Sequence, residues 1–415
     1  MSADGADPAR RPPLLPVAEA LGRILAAARN RPHVVESVPV AEANGRVLAA
    51  DLAALRTQPP MDVSAMDGFA LRAADTDPPG KPLRIIGESA AGHAFAGALL
   101  PGEAIRIYTG ARVPEGADAV LLQERAGVSG DVVRSEIPLR PGTFIRRAGR
   151  DFAAGAVMLR AGTRLTPGAI ALAGAMNHAM LPVFCRPRIA ILATGDELVA
   201  AGEPGASEAI VATNAYAIAA MARAAGAEIL DLGIARDSEA SLNAAFDRAS
   251  QWPADCLITI GGASVGKHDL VRPVAAARGA RLDFYKIAMR PGKPLNFGTL
   301  GPMLLAGLPG NPVSALVCAR LFVMPLIGAL QGDLAAGCEA PEPAVLGSDL
   351  GANDERQDYL RATLMRHPDG ALVARVGPDQ DSSLLSVYAA ADALIIRPAH
   401  AKPAKAGDAC QILRI

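Results

Sequence analysis

The sequence predicts an α/β multidomain protein, and three observations carry that prediction. Between residues 187 and 330, apolar strand-like runs alternate with amphipathic helical runs. Strands that are apolar throughout, each followed by a helix, make a parallel sheet covered on both faces. On either side the character changes to short β-like runs broken by Pro, Gly and Asp, over residues 57–145 and again over 332–415, the spacing of small β domains. A chain of 415 residues is long enough for two to four domains.

In chain order, residues 1–13 contain no apolar run of signal-peptide type and are read as a disordered tail. "PVAEALGRILAAARN", residues 16–30, has apolar positions at helical spacing. A second helix is expected within residues 36–56, "VAEANGRVLAADLAAL", despite Gly45. The runs "PLRIIGES", "EAIRIYTG", "DAVLLQE" and "DVVRSEI" make 57–145 a β-rich region. Residues 146–182 return to turns and one helix, with Thr166 as N-cap and Pro167 in its first turn. Residues 14–56 and 146–182 are grouped as one partly helical linker region. From 183 to 331 the strands "RIAILAT", "EILDLGI", "DCLITI" and "MLLAGL" alternate with helices, the last opening at Asn311-Pro312. The remainder, 332–415, has the short strands of a barrel or sandwich.

Composition narrows the function. Hydrophobic residues make up 51% and charged residues 20%, so sizeable cores can form. A net charge of −1 argues against a general nucleic-acid or membrane-surface partner, so any anion site must be local. The five cysteines are far apart, with no C-x-x-C pair and no zinc spacing. They read mostly as buried thiols in a reducing compartment, and cytoplasm is expected. The longest apolar candidate, "ALVCARLFVMPLIGAL", contains Arg320 and Pro325 and reads as a buried helix.

Ligands of an open parallel sheet bind beyond the carboxyl ends of its strands. Four loops lie there, "TGDEL" (194–198), "GIARD" (233–237), "GGASVGKHD" (261–269) and "GLPGNPVS" (307–314), with "KIAMRPGKPLNFG" (286–298) between the last two. Each has a bland explanation. Asp237 and Asp269 could cap the helices that follow, the glycines could serve turns, and Lys286, Arg290 and Lys293 could be solvated. Their convergence points to chemistry. Glycines let backbone N–H groups approach a phosphate. Three cations add charge, and Glu197, Asp237 and Asp269 could hold a divalent metal. "GGASVGK" fits G-x-x-x-x-G-K, but His268 stands where a P-loop needs Ser or Thr. The loop also follows a later strand, so it reads as a phosphate loop of another lineage.

The motifs as a set resemble the molybdopterin molybdenumtransferase family, which includes bacterial MoeA and the E domain of gephyrin. The resemblance rests on "SAMDGFA" (64–70), "IYTGARVPEGADAVLLQE" (107–124), "IRRAGRDFAAGAVMLRAGTRL" (145–165), "ATGDEL" (193–198), "GGASVG" with Asp269, "MRPGKPLNFG" (289–298) and "GLPGNPVSA" (307–315). These seven run in one order over nearly the whole chain. The resemblance implies a β-rich domain inserted in a split domain, a molybdopterin-binding α/β domain and a C-terminal β-barrel. It implies a homodimer in which the β-rich region of one chain meets the α/β domain of its partner.

The activity implied is transfer of molybdenum from molybdate to adenylylated molybdopterin with release of AMP, dependent on Mg²⁺. An upstream adenylyltransferase, and recipient molybdoenzymes or their chaperones, are the implied protein partners. By position, Asp67, Thr109, Glu197, Asp237 and Asp269 would be catalytic, the last three also holding the metal. Gly261, Gly262, Ser264, Gly266, Lys286, Arg290, Lys293, Pro309, Ser314, Arg361 and Ser383 would bind substrate. Arg290 departs from the family by standing where many members have Lys, which exchanges a point donor for a planar fork. Two other functions compete: the adenylyltransferase step itself, which would not need the "SAMDG" and barrel regions, and a pterin-binding scaffold without catalysis.

Overall fold

The computed structural model describes residues 14–204, 206–262, 270–368 and 370–415. Its central sheet has six strands in the order Glu228–Ala235, Arg188–Thr194, Cys256–Ile260, Met303–Leu308, Asn296–Leu300, Arg281–Phe284. The first four are mutually parallel. Asn296–Leu300 runs against both of its neighbours, so the sheet is mixed at that edge. The cause is local: only Gly301 and Pro302 separate it from Met303–Leu308, and a two-residue link can join strands only as a hairpin. The second half of "KIAMRPGKPLNFG" is therefore strand.

Both faces of the sheet are covered, as its uniform apolarity predicts. All five residues of Cys256–Ile260 are buried. One face packs on Thr213–Ala224 and on the long helical segment from Pro312, the other on Glu239–Gln251 and Val271–Ala277. The segment Pro312–Leu330 has the length and mean hydropathy (2.1) of a membrane span, but 72% of it is buried inside the protein. Within it, Ala319–Val323 is a π-turn leading into Met324–Leu330. A wider turn suits the approach to Pro325, which has no N–H to give to the turn before it.

The first helix, Val17–Arg29, forms as its spacing predicts and buries Ala20, Ile24, Leu25 and Ala28. Those residues join the core of the central α/β region, against Met324–Leu330. The second expected helix is absent. Residues 36–56 instead supply the strand Val35–Pro39, antiparallel to Met180–Phe184, and Leu52–Ala53, paired with Val157–Leu159. Gly45 has φ +72°, which a helix cannot contain. Val38, Leu48 and Leu52 then pack on Leu181 and Val183, so long-range pairing overrides the local spacing. The helix Pro167–Ala175 forms with Thr166 accepting from the Ala169 N–H at 3.3 Å, the expected cap.

The β-rich region is one six-stranded sheet, in the order Ala119–Leu122, Gly68–Leu71, Glu103–Ile107, Leu83–Ser89, Val132–Ser135, Ala126–Ser129. The C-terminal region closes five strands into a ring: Gln357–Arg366, Leu372–Val376, Glu342–Leu346, Ala409–Arg414, Ala393–Arg397 and back to Gln357–Arg366. It is a barrel, which leaves none of these strands as a free edge along its whole length.

No cysteine is paired. Cys256 and Cys318 are buried, Cys185 and Cys410 partly so, and Cys338 is exposed. Burial pushes the Cys256 thiol up to about 12, so it stays protonated and inert.

A candidate anion site at the carboxyl edge of the central sheet

The four parallel strands end at one edge, where their loops meet around a cleft of about 790 Å³. The loops approach backbone to backbone. Gly261 has φ +93°, and a Cβ there would lie 2.7 Å from the Thr194 carbonyl oxygen, so only glycine fits. At Gly261 the need for glycine comes from the neighbouring loop, a contact that the sequence reading of phosphate approach or turn did not include.

Seven of the sequence-predicted site residues line this cleft: Glu197, Asp237, Gly261, Gly262, Pro309, Ser314 and Ser383. Five parts of the chain bring them together, including the barrel through Ser383. The capping explanation for Asp237 fails, because the cap is its neighbour. Ser238 accepts from the Ser241 N–H at 3.3 Å. The Asp237 N–H donates to Asp196 Oδ1 at 3.1 Å, and Arg236 Nη1 donates to the Asp196 carbonyl at 2.6 Å, which ties two of the loops together. Ser264, Gly266 and Asp269 lie outside the described residues.

The cations divide. Lys293 is half-buried beside Pro294, a residue of the cleft wall. Lys286 Nζ sits 5.2 Å from the Tyr285 ring centroid, a cation–π contact. Arg290 is engaged elsewhere, with Nε donating to Asp358 Oδ1 at 2.9 Å and Nη2 to Asp358 Oδ2. Arg361 is 2% exposed, and its Nη2 donates to the Asp381 carbonyl at 3.0 Å. Its Nε is buried without a partner, and burial pulls the guanidinium below its ordinary range. Asp381 also accepts from Ser383 Oγ at 2.6 Å and its N–H at 2.8 Å, bonds that hold the carboxylate low.

Asp67 and Thr109 form a separate unit in the β-rich region. Asp67 Oδ1 accepts from the Thr109 N–H at 2.7 Å and from Thr109 Oγ1 at 2.8 Å. The backbone bond leads in holding the Asp67 carboxyl below its usual range. Neither residue lines the cleft formed by this chain's central sheet.

Comparison with known proteins covers nearly the whole chain. Residues 15–176 match the family described as MoeA N-terminal region (domain I and II), 190–329 the "Probable molybdopterin binding domain", and 343–415 the MoeA C-terminal region (domain IV). A molybdopterin molybdenumtransferase of Haemophilus influenzae is 37% identical over 340 residues, 81% of this chain and 83% of its own. One from Bacillus subtilis is 37% identical over 374 residues, 88% and 86% of the two chains. The chain belongs to the molybdopterin molybdenumtransferase family. The fold agrees: a crystal structure of the molybdopterin biosynthesis MoeA protein from Pyrococcus horikoshii OT3 superposes with a TM-score of 0.83 at 29% identity, over 97% of this chain and 100% of that one.

Glu197 and Asp237 both line this cleft, and their carboxylates are hard oxygen donors of the kind a divalent cation could take. Among the described residues no three acidic, His or Cys side chains gather as a metal cluster, and Asp269, the expected third donor, is outside them.

Several residues went unread in the sequence. Asn214 Nδ2 donates to the Gly310 carbonyl at 2.8 Å, and Asn311 Nδ2 to Ser382 Oγ at 2.9 Å, so amides rather than charges hold the last loop in place. A second cleft, about 810 Å³, is lined by Gln58, Pro59, Gly110, Arg112, Arg146, Arg150 and Asp151 among others. The sequence signal for this cleft is the arginine density of "IRRAGRD", residues 145–151.

Proposed function

We propose that this molybdenumtransferase takes adenylylated molybdopterin and molybdate, inserts the metal into the pterin dithiolene, and releases AMP at the cleft edge described above. The convergence of Glu197, Asp237, the 261–262 glycines, Ser314 and the barrel's Ser383 on one cleft is the observation that carries this reading. Backbone N–H groups at Gly261 and Gly262 would receive a phosphate of the substrate, with Lys293, next to the cleft residue Pro294, and Lys286 as the cations the substrate would draw on. Ser314 and Pro309 shape the pterin end. Ser383 presents a donor from the barrel, and the buried Arg361 behind it holds the 380–383 segment through Gln380 and the Asp381 carbonyl.

Mg²⁺ would be held by Glu197, Asp237 and Asp269, and when bound it would neutralise and polarise the phosphate. No protein nucleophile is required. Water or a molybdate oxygen attacks the phosphate and AMP leaves, and the chain's own task is to position the two anions and stabilise the charge that develops on the phosphate.

The working unit is a homodimer. Asp67 and Thr109 form an ordered, exposed pair that does not line this chain's central-sheet cleft, and they would meet the α/β cleft of the partner subunit. The arginine-lined second cleft, beside Gly110, belongs to the same half-site and adds positive charge for an anionic substrate. No observation favours the adenylyltransferase or scaffold readings. Purified protein given adenylylated molybdopterin, molybdate and Mg²⁺ should release AMP and reconstitute an apo molybdoenzyme. Release of pyrophosphate from ATP and molybdopterin, or binding without turnover, would overturn the proposal.

A further inference from the structure

Arg290 lies in the cation-rich segment 286–293, yet its side chain faces another charge. Met289–Arg290 forms a two-residue parallel strand on the barrel strand Gln357–Arg366, with Arg290 opposite Asp358. The guanidinium grips both Asp358 oxygens, and Nη2 also reaches Asn353 Oδ1 at 3.2 Å. Asp354, itself held by Arg356, stands 3.5 Å from Nη1. Asp358 is 4% exposed. A carboxylate that deep needs a charged partner, and a bidentate fork satisfies both its oxygens.

The placement of this pair matters more than its charge. Asp358 and Arg361 share one strand, and Arg361 carries the 380–383 segment through its contacts with Gln380 and the Asp381 carbonyl. That segment places Ser383 in the cleft and docks on the last loop, where the Val313 N–H donates to the Ser382 carbonyl at 2.9 Å. On the other side, Arg290 is three residues from Lys293. We propose that Arg290 is a positioning residue, which locks the barrel to the 286–293 segment and so, through Arg361 and the 380–383 segment, sets Ser383 at the cleft. It does not itself bind the anionic substrate. A lysine at 290 could reach one Asp358 oxygen but could not span both and Asn353. The inference rests on the molybdenumtransferase reading only for its activity assay.

The two roles of Arg290 make opposite predictions for Asp358. If Arg290 positions the barrel, Asp358→Asn harms the site as Arg290→Ala does. If Arg290 binds substrate, removing Asp358 frees it and molybdate affinity holds or improves. The full-length dimer is assayed as wild type, Arg290→Ala, Arg290→Lys, Asp358→Asn and the Arg290→Ala/Asp358→Asn double variant. Both single losses should raise the KM for molybdate about tenfold with a smaller change in kcat, and the double variant should be no worse than either. Arg290→Lys should fall between. A second readout needs no turnover: hydrogen exchange in residues 380–384 should quicken in both single variants. An unchanged or lower KM in Asp358→Asn, with a raised KM in Arg290→Ala, would overturn the proposal. So would unaltered exchange, or a fall in Tm alone with both kinetic constants intact. An inactive wild type would instead overturn the functional reading, and the exchange result would still decide the role of Arg290.

Discussion

The carboxyl edge of the central sheet and the Asp67–Thr109 edge of the β-rich sheet carry the same kinds of residue in different settings. At the first, acids, glycines and a serine from distant loops wall one cleft, and Glu197 and Asp237 face a common space. At the second, a carboxylate is satisfied by its own neighbour, through two bonds from Thr109, at an exposed position. The first brings its acids and glycines to the wall of a cleft, whereas the second is an exposed pair standing beside the arginine-lined cleft at Gly110. Neither edge by itself brings Asp67 and Thr109 together with Glu197 and Asp237, and the proposed dimer does so by setting the second edge against the cleft of a partner subunit.

The largest expected effect tests that pairing. Chains carrying Asp67→Ala and Asp237→Ala, with different tags, are co-expressed and the mixed dimer is purified. A shared site leaves one intact cleft per dimer and about half the wild-type activity, while both parent dimers stay inactive. If each chain builds its own site, the mixed dimer is as inactive as its parents.

Within the cleft, Asp237→Asn should lower AMP release by a factor on the order of 10²–10³ with an unchanged Tm. Ser238 is the helix cap, so the helix does not depend on Asp237. Full activity in this variant would return Asp237 to a passive role. Lys293→Ala should weaken molybdate or substrate binding by roughly 1.5–3 kcal/mol, and Lys293→Arg by less, both read from the molybdate dependence of turnover. An unaltered dependence would make Lys293 a surface cation.

The smallest effect belongs to the second edge. The Thr109 N–H and hydroxyl both favour ionised Asp67, so its folded pKa lies below the unfolded value. The resulting stability is present above the unfolded carboxyl pKa and is lost as pH falls through the folded one. Thr109→Ala removes the hydroxyl and keeps the N–H. The Asp67 pKa, followed by NMR titration, should rise but stay below the ordinary carboxylate range. A complete return to that range would mean that the hydroxyl alone held it.

Much of the architecture was legible because strand and helix signals in the central region are local. A continuous apolar run such as "RIAILAT" has few alternatives to a covered strand, and the barrel strands carried the same kind of signal. The failure at residues 36–56 shows the limit. Apolar spacing there fitted a helix, but Val35–Pro39 pairs with residues 180–184, some 140 positions away, and no local window contains that partner. Glu197, Asp237, Gly261 and Gly262 were singled out from loop position and composition, while Pro309, Ser314 and Ser383 came only from the family resemblance; all seven line the one cleft. The amide contacts of Asn214 and Asn311 were not found, because a neutral side chain in a loop gives no signal until its acceptor is in place.

The sequence by itself determined the order of the regions, the apolar strands of the central sheet, the glycine-rich loops at its edge and the family to which the motifs belong. These depend on torsional preference, burial and spacing, which neighbouring residues set together. Only the tertiary structure decided which of two adjacent residues, Asp237 or Ser238, capped a helix and which faced a cleft. It also decided whether Arg290 met solvent, a ligand or a carboxylate 68 residues away. Those choices are made by distances between groups remote in the chain, and a charge or a hydroxyl has no role until folding has chosen its partner.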